Sequence, residues 1–134
     1  KREAYAKKKM EEMQPILDAR ARRQERLASE LRAAIYMGVF VKGYIAESSA
    51  MMIECRYENA SRRDIRSFTG ILQFSDRFDK PIFQSRLTVS DPIRSGEMAT
   101  WAGRMEVAPI VASQTDRIVW RTQSIVYSRV KLPR

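Results

Sequence analysis

The sequence predicts a mainly β fold, an antiparallel β-sandwich preceded by a long N-terminal α-helix. Residues 1–34 contain no Gly and one Pro, and they are rich in Ala, Leu, Met, Glu, Lys and Arg, which favour helix. From Ile35 onward, short β-branched and aromatic runs alternate with turn sequences such as Asp91-Pro92 and Ser95-Gly96. The change of pattern at Ile35 divides the chain into a charged helix, residues 1–34, and a β domain, residues 35–134.

The predicted helix carries an apolar stripe with the 3-4 spacing of a heptad repeat: Met10, Met13, Leu17, Leu27 and Leu31. Arg20 and Gln24 occupy the stripe positions in between, so self-association through this stripe alone is expected to be weak. Pro15 removes a backbone donor and clashes with the preceding turn, which predicts a kink or a restart of the helix there. The five stripe residues are the predicted partner interface.

The same helix contains a run of basic residues: Arg20, Arg22, Arg23 and Arg26. They point several ways around the helix, with Glu25 and Glu30 nearby. A solvated face with intrahelical ion pairs is favoured over a binding patch. At a partner interface these arginines would give electrostatic support.

Six segments of the β domain have strand patterns: residues 35–45, 51–58, 65–75, 82–89, 98–106 and 118–130, the last forming one or two strands. Six or seven strands with turns at this spacing indicate an immunoglobulin-like sandwich. Residues 107–116 lack alternation and are expected to form a helical turn or a crossover. Phe78, in the turn before the fourth strand, is expected to tuck into the core.

Large aromatic side chains along the strands are interpreted as core: Phe40, Phe68, Phe74, Phe83, Trp101 and Trp120. Ligand stacking on either Trp is the alternative. Cys55, the single cysteine, shares one strand face with Ile53 and Tyr57 and is expected to be a buried thiol. It cannot form an intrachain disulfide.

The absence of histidine from the sequence removes the commonest general base, the Ser-His and Cys-His dyads and most zinc sites. Neither a nucleophile elbow nor a glycine-rich phosphate loop is present in the sequence. Asp76 and Asp79 resemble part of a calcium loop, but an Asp in a turn ordinarily binds backbone amides. The sequence therefore predicts no enzyme activity, no cofactor and no metal.

The formal charge of +9 is shared between the two parts of the chain. Residues 1–32 hold ten basic and six acidic residues, and the remainder holds fifteen and ten. A nucleic-acid footprint should cluster on one face, so nucleic acid is a less favoured partner than an acidic protein or an anionic membrane surface. No run of 18 apolar residues exists in the sequence to span a membrane.

Several stretches resemble bacterial extracytoplasmic immunoglobulin-like domains, the FxLYD-like modules of lipoproteins and envelope proteins. They are Tyr57-Glu58-Asn59, residues 64–74 (DIRSFTGILQF) and residues 76–82 (DRFDKPI), followed by Ile93-Arg94-Ser95-Gly96 and Trp101. Asp79 stands where such domains usually have Gly, and Ser128-Arg129 replaces a common Asp-Gly. The resemblance covers residues 35–127 and implies a non-catalytic module in the periplasm or cell envelope, with a signal or anchor upstream. It carries over no functional site residues.

These observations predict a scaffold or interaction module whose helix and sandwich dock a protein partner or a second copy of the chain. The first alternative is a basic protein that binds nucleic acid through its arginine-rich helix. The second is a carboxylate enzyme or a sugar-binding domain that uses Trp101 or Trp120.

Overall fold

The computed structural model describes the backbone of residues 2–133 and the side chains of residues 4–133. The elements in chain order are α1 (Arg2–Ala34), β1 (Ile35–Ile45), a 3-10 turn (Ala46–Ser48), β2 (Ala50–Asn59), β3 (Ile65–Ser75), β4 (Pro81–Val89), β5 (Met98–Glu106), α2 (Pro109–Gln114) and β6 (Arg117–Tyr127). The chain divides into two compact units, one ending at Glu30 and one beginning at Leu31. Neither helix in this part of the chain is long and apolar enough to cross a membrane.

Helix α1 has 33 residues and contains Pro15 in its interior. The restart that the sequence predicts at Pro15 is wrong, because helix continues on both sides of it. The strong helix formers on either side of the proline offset the lost backbone bond. Every described side chain of α1 up to Glu30 is exposed.

The strands form two three-stranded sheets, in which every pair of neighbours is antiparallel. One sheet has the order β1-β2-β5 and the other β4-β3-β6, so β2 and β3 are the central strands. The chain crosses between sheets after β2, β4 and β5. The prediction of a mainly β protein with antiparallel strands and a long N-terminal helix is confirmed.

Side chains from both sheets meet in one hydrophobic core. Phe68 of β3 lies edge-on to Tyr57 of β2, with ring centroids 5.2 Å apart. The alternation of β2 places Ile53, Cys55 and Tyr57 inside, as the sequence predicts. Because β2 and β3 are flanked on both sides, most of their inward residues are fully buried.

Two aromatic residues that the sequence assigns to the core lie outside it. Phe78 is 75% exposed and Phe40 is 42% exposed. Phe78 stands in the turn between β3 and β4, which is held by backbone bonds and by the Asp76 carboxylate rather than by the Phe78 ring. Phe40 faces away from the core, where the guanidinium of Arg56 lies 4.8 Å from its ring centroid. Apolar neighbours on both sides of Phe40 hide the strand alternation from sequence inspection.

The last two segments of the β domain each follow one of the alternatives that the sequence predicts for them. Residues 107–116 include the short helix α2, and residues 118–130 contribute one strand, β6. Both β6 and β1 are edge strands that approach each other without pairing.

Candidate functional site

The apolar stripe of α1 is exposed over most of its length. Met10 is 60% exposed, Met13 44%, Leu17 40% and Leu27 50%. Leu31 is half-buried and belongs to the second unit of the chain. Four of the five predicted interface residues are therefore available to a partner, in two groups separated by Arg20 and Gln24.

Two further apolar residues of α1 widen this surface beyond the stripe. Ile16 is 56% exposed and Tyr5 is 69% exposed. At 100° per residue both lie on the flank of the stripe that also carries Leu27. The heptad positions do not include them, although the helical period could have found them.

All four arginines of the basic run are exposed. The intrahelical ion pairs expected for them are not found: no salt bridge among the described residues joins them to Glu25 or Glu30. Within α1, the side chain of Gln14 donates to Asp18 at 2.8 Å, and Lys9 lies 5.9 Å from the ring centroid of Tyr5. The arginines leave their charge available to an anionic or acidic partner.

The two indoles serve packing within the β domain. Trp120 lies against Gly70, where an added Cβ would be 2.3 Å from its Cζ2 atom, and its N–H donates to Thr122 at 2.7 Å. Trp101 lies in the same way against Gly103, at 2.7 Å. Both are half-buried and packed against the core. Their contacts give no support to a ligand-stacking role.

The turn that resembles part of a calcium loop uses its carboxylate on the backbone. Asp76 Oδ1 accepts the backbone N–H groups of Phe78 and Lys80, each at 2.9 Å. Asp79 has a φ of 61° and forms an exposed ion pair with Arg117 at 3.3 Å. Within the described residues, no group of three or more acidic, His or Cys side chains could hold a metal ion.

The buried Cys55 thiol has an environment that keeps it protonated. Cys55 is completely buried, and burial raises its pKa to about 11. Since the thiolate is the reactive form, the native thiol is a poor nucleophile at neutral pH.

One end of the β domain, called the base, is formed by the turn 60–64, the segment 90–97 and the residues after β6. Asn59, completely buried, donates to the carbonyls of Arg63 at 2.9 Å and Ile93 at 3.3 Å. Asp64 accepts the backbone N–H of Ser95 at 2.8 Å and that of Leu132 at 2.6 Å. These two donors, led by Ser95, lower the pKa of the Asp64 carboxyl. The base is thus three chain segments tied together by two side chains.

A cleft of about 450 Å³ opens on the base, called here the base cleft. Its lining includes four basic residues: Arg62, Arg63, Arg129 and Lys131. Sequence inspection missed this cluster because its two basic pairs, Arg62-Arg63 and Arg129/Lys131, are more than sixty residues apart. The available signal was the position of each basic pair, directly after β2 and after β6, which both end at the base.

With this geometry described, we compared the chain with protein-family models, with curated proteins and with solved structures, and found no match in any of the three.

Proposed function

We propose that this chain is a non-catalytic interaction module, in which α1 binds an amphipathic helix and the β domain is the structural body. The observation that carries the proposal is the exposure of the apolar stripe on a 33-residue helix. A helix that buries no face is marginal in water, because most helical stability in proteins comes from packing. A second helix on the stripe would supply that packing, and a second copy of α1 is the first candidate.

The strength of such an association can be bounded from the stripe. Burial of one Met or Leu side chain contributes about 1.5–3 kcal/mol, reduced here because each is already partly covered. Arg20 and Gln24 place two polar layers in the middle of the apolar stripe, and each layer weakens the helix–helix contact. The result is a reversible contact whose formation depends on concentration, rather than a permanent coiled coil.

We also propose that the β domain is an immunoglobulin-like sandwich of the FxLYD-like type, which places it in the cell envelope or periplasm. The two sheets and the three crossings between them support this proposal. Asp79, where such domains usually have Gly, has a φ of 61°, and Gly96 has a φ of 78°. A left-handed backbone is the conformation that favours Gly at both positions.

The test of the association is the molar mass of the full chain, measured by light scattering across a wide range of concentration. We expect mass to rise with concentration for the natural chain and to stay at that of one chain for Met13→Gln/Leu17→Gln. The matched control is Ala19→Gln/Ser29→Gln, which adds the same side chains away from the stripe. A natural chain that remains monomeric, or a control that dissociates equally, contradicts self-association and directs the search to other helical partners.

Binding of nucleic acid by the arginine-rich helix is the second candidate, because the structure leaves its four arginines exposed. It predicts that Arg22→Gln/Arg26→Gln weakens binding to duplex DNA. The affinity for duplex DNA should also fall with salt, with a log–log slope of about −0.9 for each phosphate contact. A natural chain with no salt-dependent DNA affinity rejects this candidate.

A further inference from the structure

The charges of the β domain are separated between its two ends. The base carries five basic residues, Arg62, Arg63, Arg94, Arg129 and Lys131, against the acidic residues Asp64, Asp91 and Glu97, and Arg66 adjoins it at the start of β3. The opposite end is formed by the 3-10 turn, the turn 76–80 and the residues around α2. It carries five acidic residues, Glu47, Asp76, Asp79, Glu106 and Asp116, and three basic ones, Arg77, Lys80 and Arg117. The nearly even charge distribution along the sequence is therefore uneven in space, and the base is the positive end.

Two of the three acidic groups of the base are engaged within it, and the third, Asp91, is exposed. Glu97 pairs with Arg94 at 2.6 Å, and this contact lowers the pKa of the Glu97 carboxyl. Asp64, which also lines the base cleft, uses both carboxylate oxygens on backbone N–H groups. Both carboxylates keep their charge, and the five basic residues of the base outnumber its three acidic residues, so the base is net positive.

Four cations in or beside the base are exposed and uncommitted. In the described part of the chain, no salt bridge or side-chain hydrogen bond involves Arg62, Arg66, Arg129 or Lys131. The guanidinium of Arg63 lies 4.2 Å from the ring centroid of Tyr127, which fixes its position at the edge of the base cleft. Lys131 is close enough to Asp64 to contribute to its lowered pKa, and its ammonium remains exposed.

The backbone that presents these cations is held rigidly. Ser95 Oγ donates to the carbonyl of Ser61 at 2.6 Å, and the N–H of Ser128 donates to the carbonyl of Asp64 at 2.9 Å. With the two bonds to the Asp64 carboxylate, these contacts join the turn, the segment 90–97 and the residues after β6. The cations therefore stand on a fixed frame, so little backbone ordering is needed when an anion binds.

An apolar side chain projects between the cations. Val130 is 73% exposed and lies in sequence between Arg129 and Lys131. An exposed apolar residue flanked by cations suits the boundary between anionic headgroups and acyl chains. There the cations contact the headgroups and the apolar side chain contacts the acyl chains. A site for single-stranded nucleic acid would instead need an exposed aromatic platform, and Tyr127 is covered by Arg63.

We propose that the base of the β domain binds an anionic membrane surface, with the base cleft receiving the charged headgroup of one lipid and Val130 entering the interface. The acidic opposite end is repelled by the same surface, so the domain is oriented with its base toward the membrane. This inference goes beyond the association proposed for α1 and does not depend on it, because its residues all belong to the second unit of the chain.

The test is co-sedimentation of the full chain with phosphatidylserine–phosphatidylcholine vesicles, compared with pure phosphatidylcholine vesicles. Each cation near an anionic surface contributes about fivefold in partitioning, so Arg129→Gln/Lys131→Gln should lower binding about thirtyfold. The matched control is Arg77→Gln/Lys80→Gln, which removes one Arg and one Lys from the opposite end. We expect the control to retain binding within about threefold. The urea midpoint of each variant shows that the fold is intact.

Three results overturn the proposal. The first is equal binding of the natural chain to both kinds of vesicle. The others concern Arg129→Gln/Lys131→Gln, called the base variant: a loss of vesicle binding no greater than that of its control, or no loss at all. Val130→Asp supplies an independent variant, which should also lower vesicle binding although it leaves the cations in place. If the base variant loses affinity for duplex DNA and keeps its vesicle binding, the cations serve nucleic acid and the membrane proposal is wrong.

Discussion

Gly70, in the central strand β3, is the position at which a single added methyl group should do most damage. An added Cβ would lie 2.3 Å from Trp120 Cζ2 and 2.6 Å from the carbonyl oxygen of Arg121. Neither distance is tolerable, and the oxygen belongs to the backbone of the paired strand β6. Gly70→Ala must therefore displace the indole or open the β3–β6 pairing.

The cost of Gly70→Ala can be worked from the contacts that Trp120 makes. Overpacking of a core costs about 1–3 kcal/mol. Displacing the indole also weakens its 2.7 Å bond to Thr122, about 1 kcal/mol, and its edge-to-face contact with Phe68, about 0.5–1.5 kcal/mol. We expect Gly70→Ala to lower the free energy of unfolding by about 2.5–5.5 kcal/mol.

The assay is urea unfolding of the full chain, followed by tryptophan fluorescence and by circular dichroism. Gly43→Ala is the matched control, because nothing lies within 4 Å of a Cβ added there, and its effect should stay within about 1 kcal/mol. A Trp120→Leu background removes the clash with the indole and leaves only the clash with the Arg121 carbonyl, so there Gly70→Ala should cost at least about 1 kcal/mol less. A Gly70→Ala protein as stable as the natural chain would refute the close packing of this indole on β3.

Three further predictions concern other buried or hydrogen-bonded groups. Asn59→Ala should lower the free energy of unfolding by about 3 kcal/mol in urea unfolding, because it removes both bonds of the buried amide to backbone carbonyls and the acceptor of the Ser61 N–H. Exposed Gln84→Ala should cost under about 0.5 kcal/mol. The Cys55 thiol, buried and with a pKa of about 11, should react with an aromatic disulfide at pH 7 roughly a hundredfold more slowly in the native protein than in urea; equal rates would contradict its burial. The pKa of Asp64 is lowered on folding, so its stabilising contribution is complete above the unfolded pKa of about 4 and is lost as pH falls through the folded value. Asp64→Asn should therefore be less stable than the natural chain at pH 7. Between pH 7 and 3 it should lose less stability than the natural chain. If the urea midpoints of the two proteins change in parallel with pH, this linkage is contradicted.

The elements of secondary structure were readable from the sequence because each depends on local pattern. The helix ends where the helix formers end, at Ala34, and β3 and β5 have the predicted bounds. The alternation in β2 also identified Cys55 as buried. Alternation reports which residues share a face, and composition reports which residues favour helix, so neither needs contacts between distant parts of the chain.

Local pattern failed where burial depends on neighbours that come from elsewhere in the chain. Phe40 lies in the apolar run Val39-Phe40-Val41, so either face of β1 could have been inward. Phe78 stands in a turn whose conformation is set by the Asp76 carboxylate, which leaves the ring outside. The exposed flank of α1 at Ile16 was missed because heptad positions were used in place of the full helical period.

The sequence by itself determined the helix, the strands and the apolar stripe of α1, because these follow from residue preference and from periodicity along one segment. Only the tertiary structure decided which cations stand together and which glycine lies beneath an indole. Arg62 and Lys131 become neighbours because β2 and β6 end at the same end of two sheets, an outcome of strand order. Strand order is set by packing between segments far apart in the chain, and no local pattern contains that information.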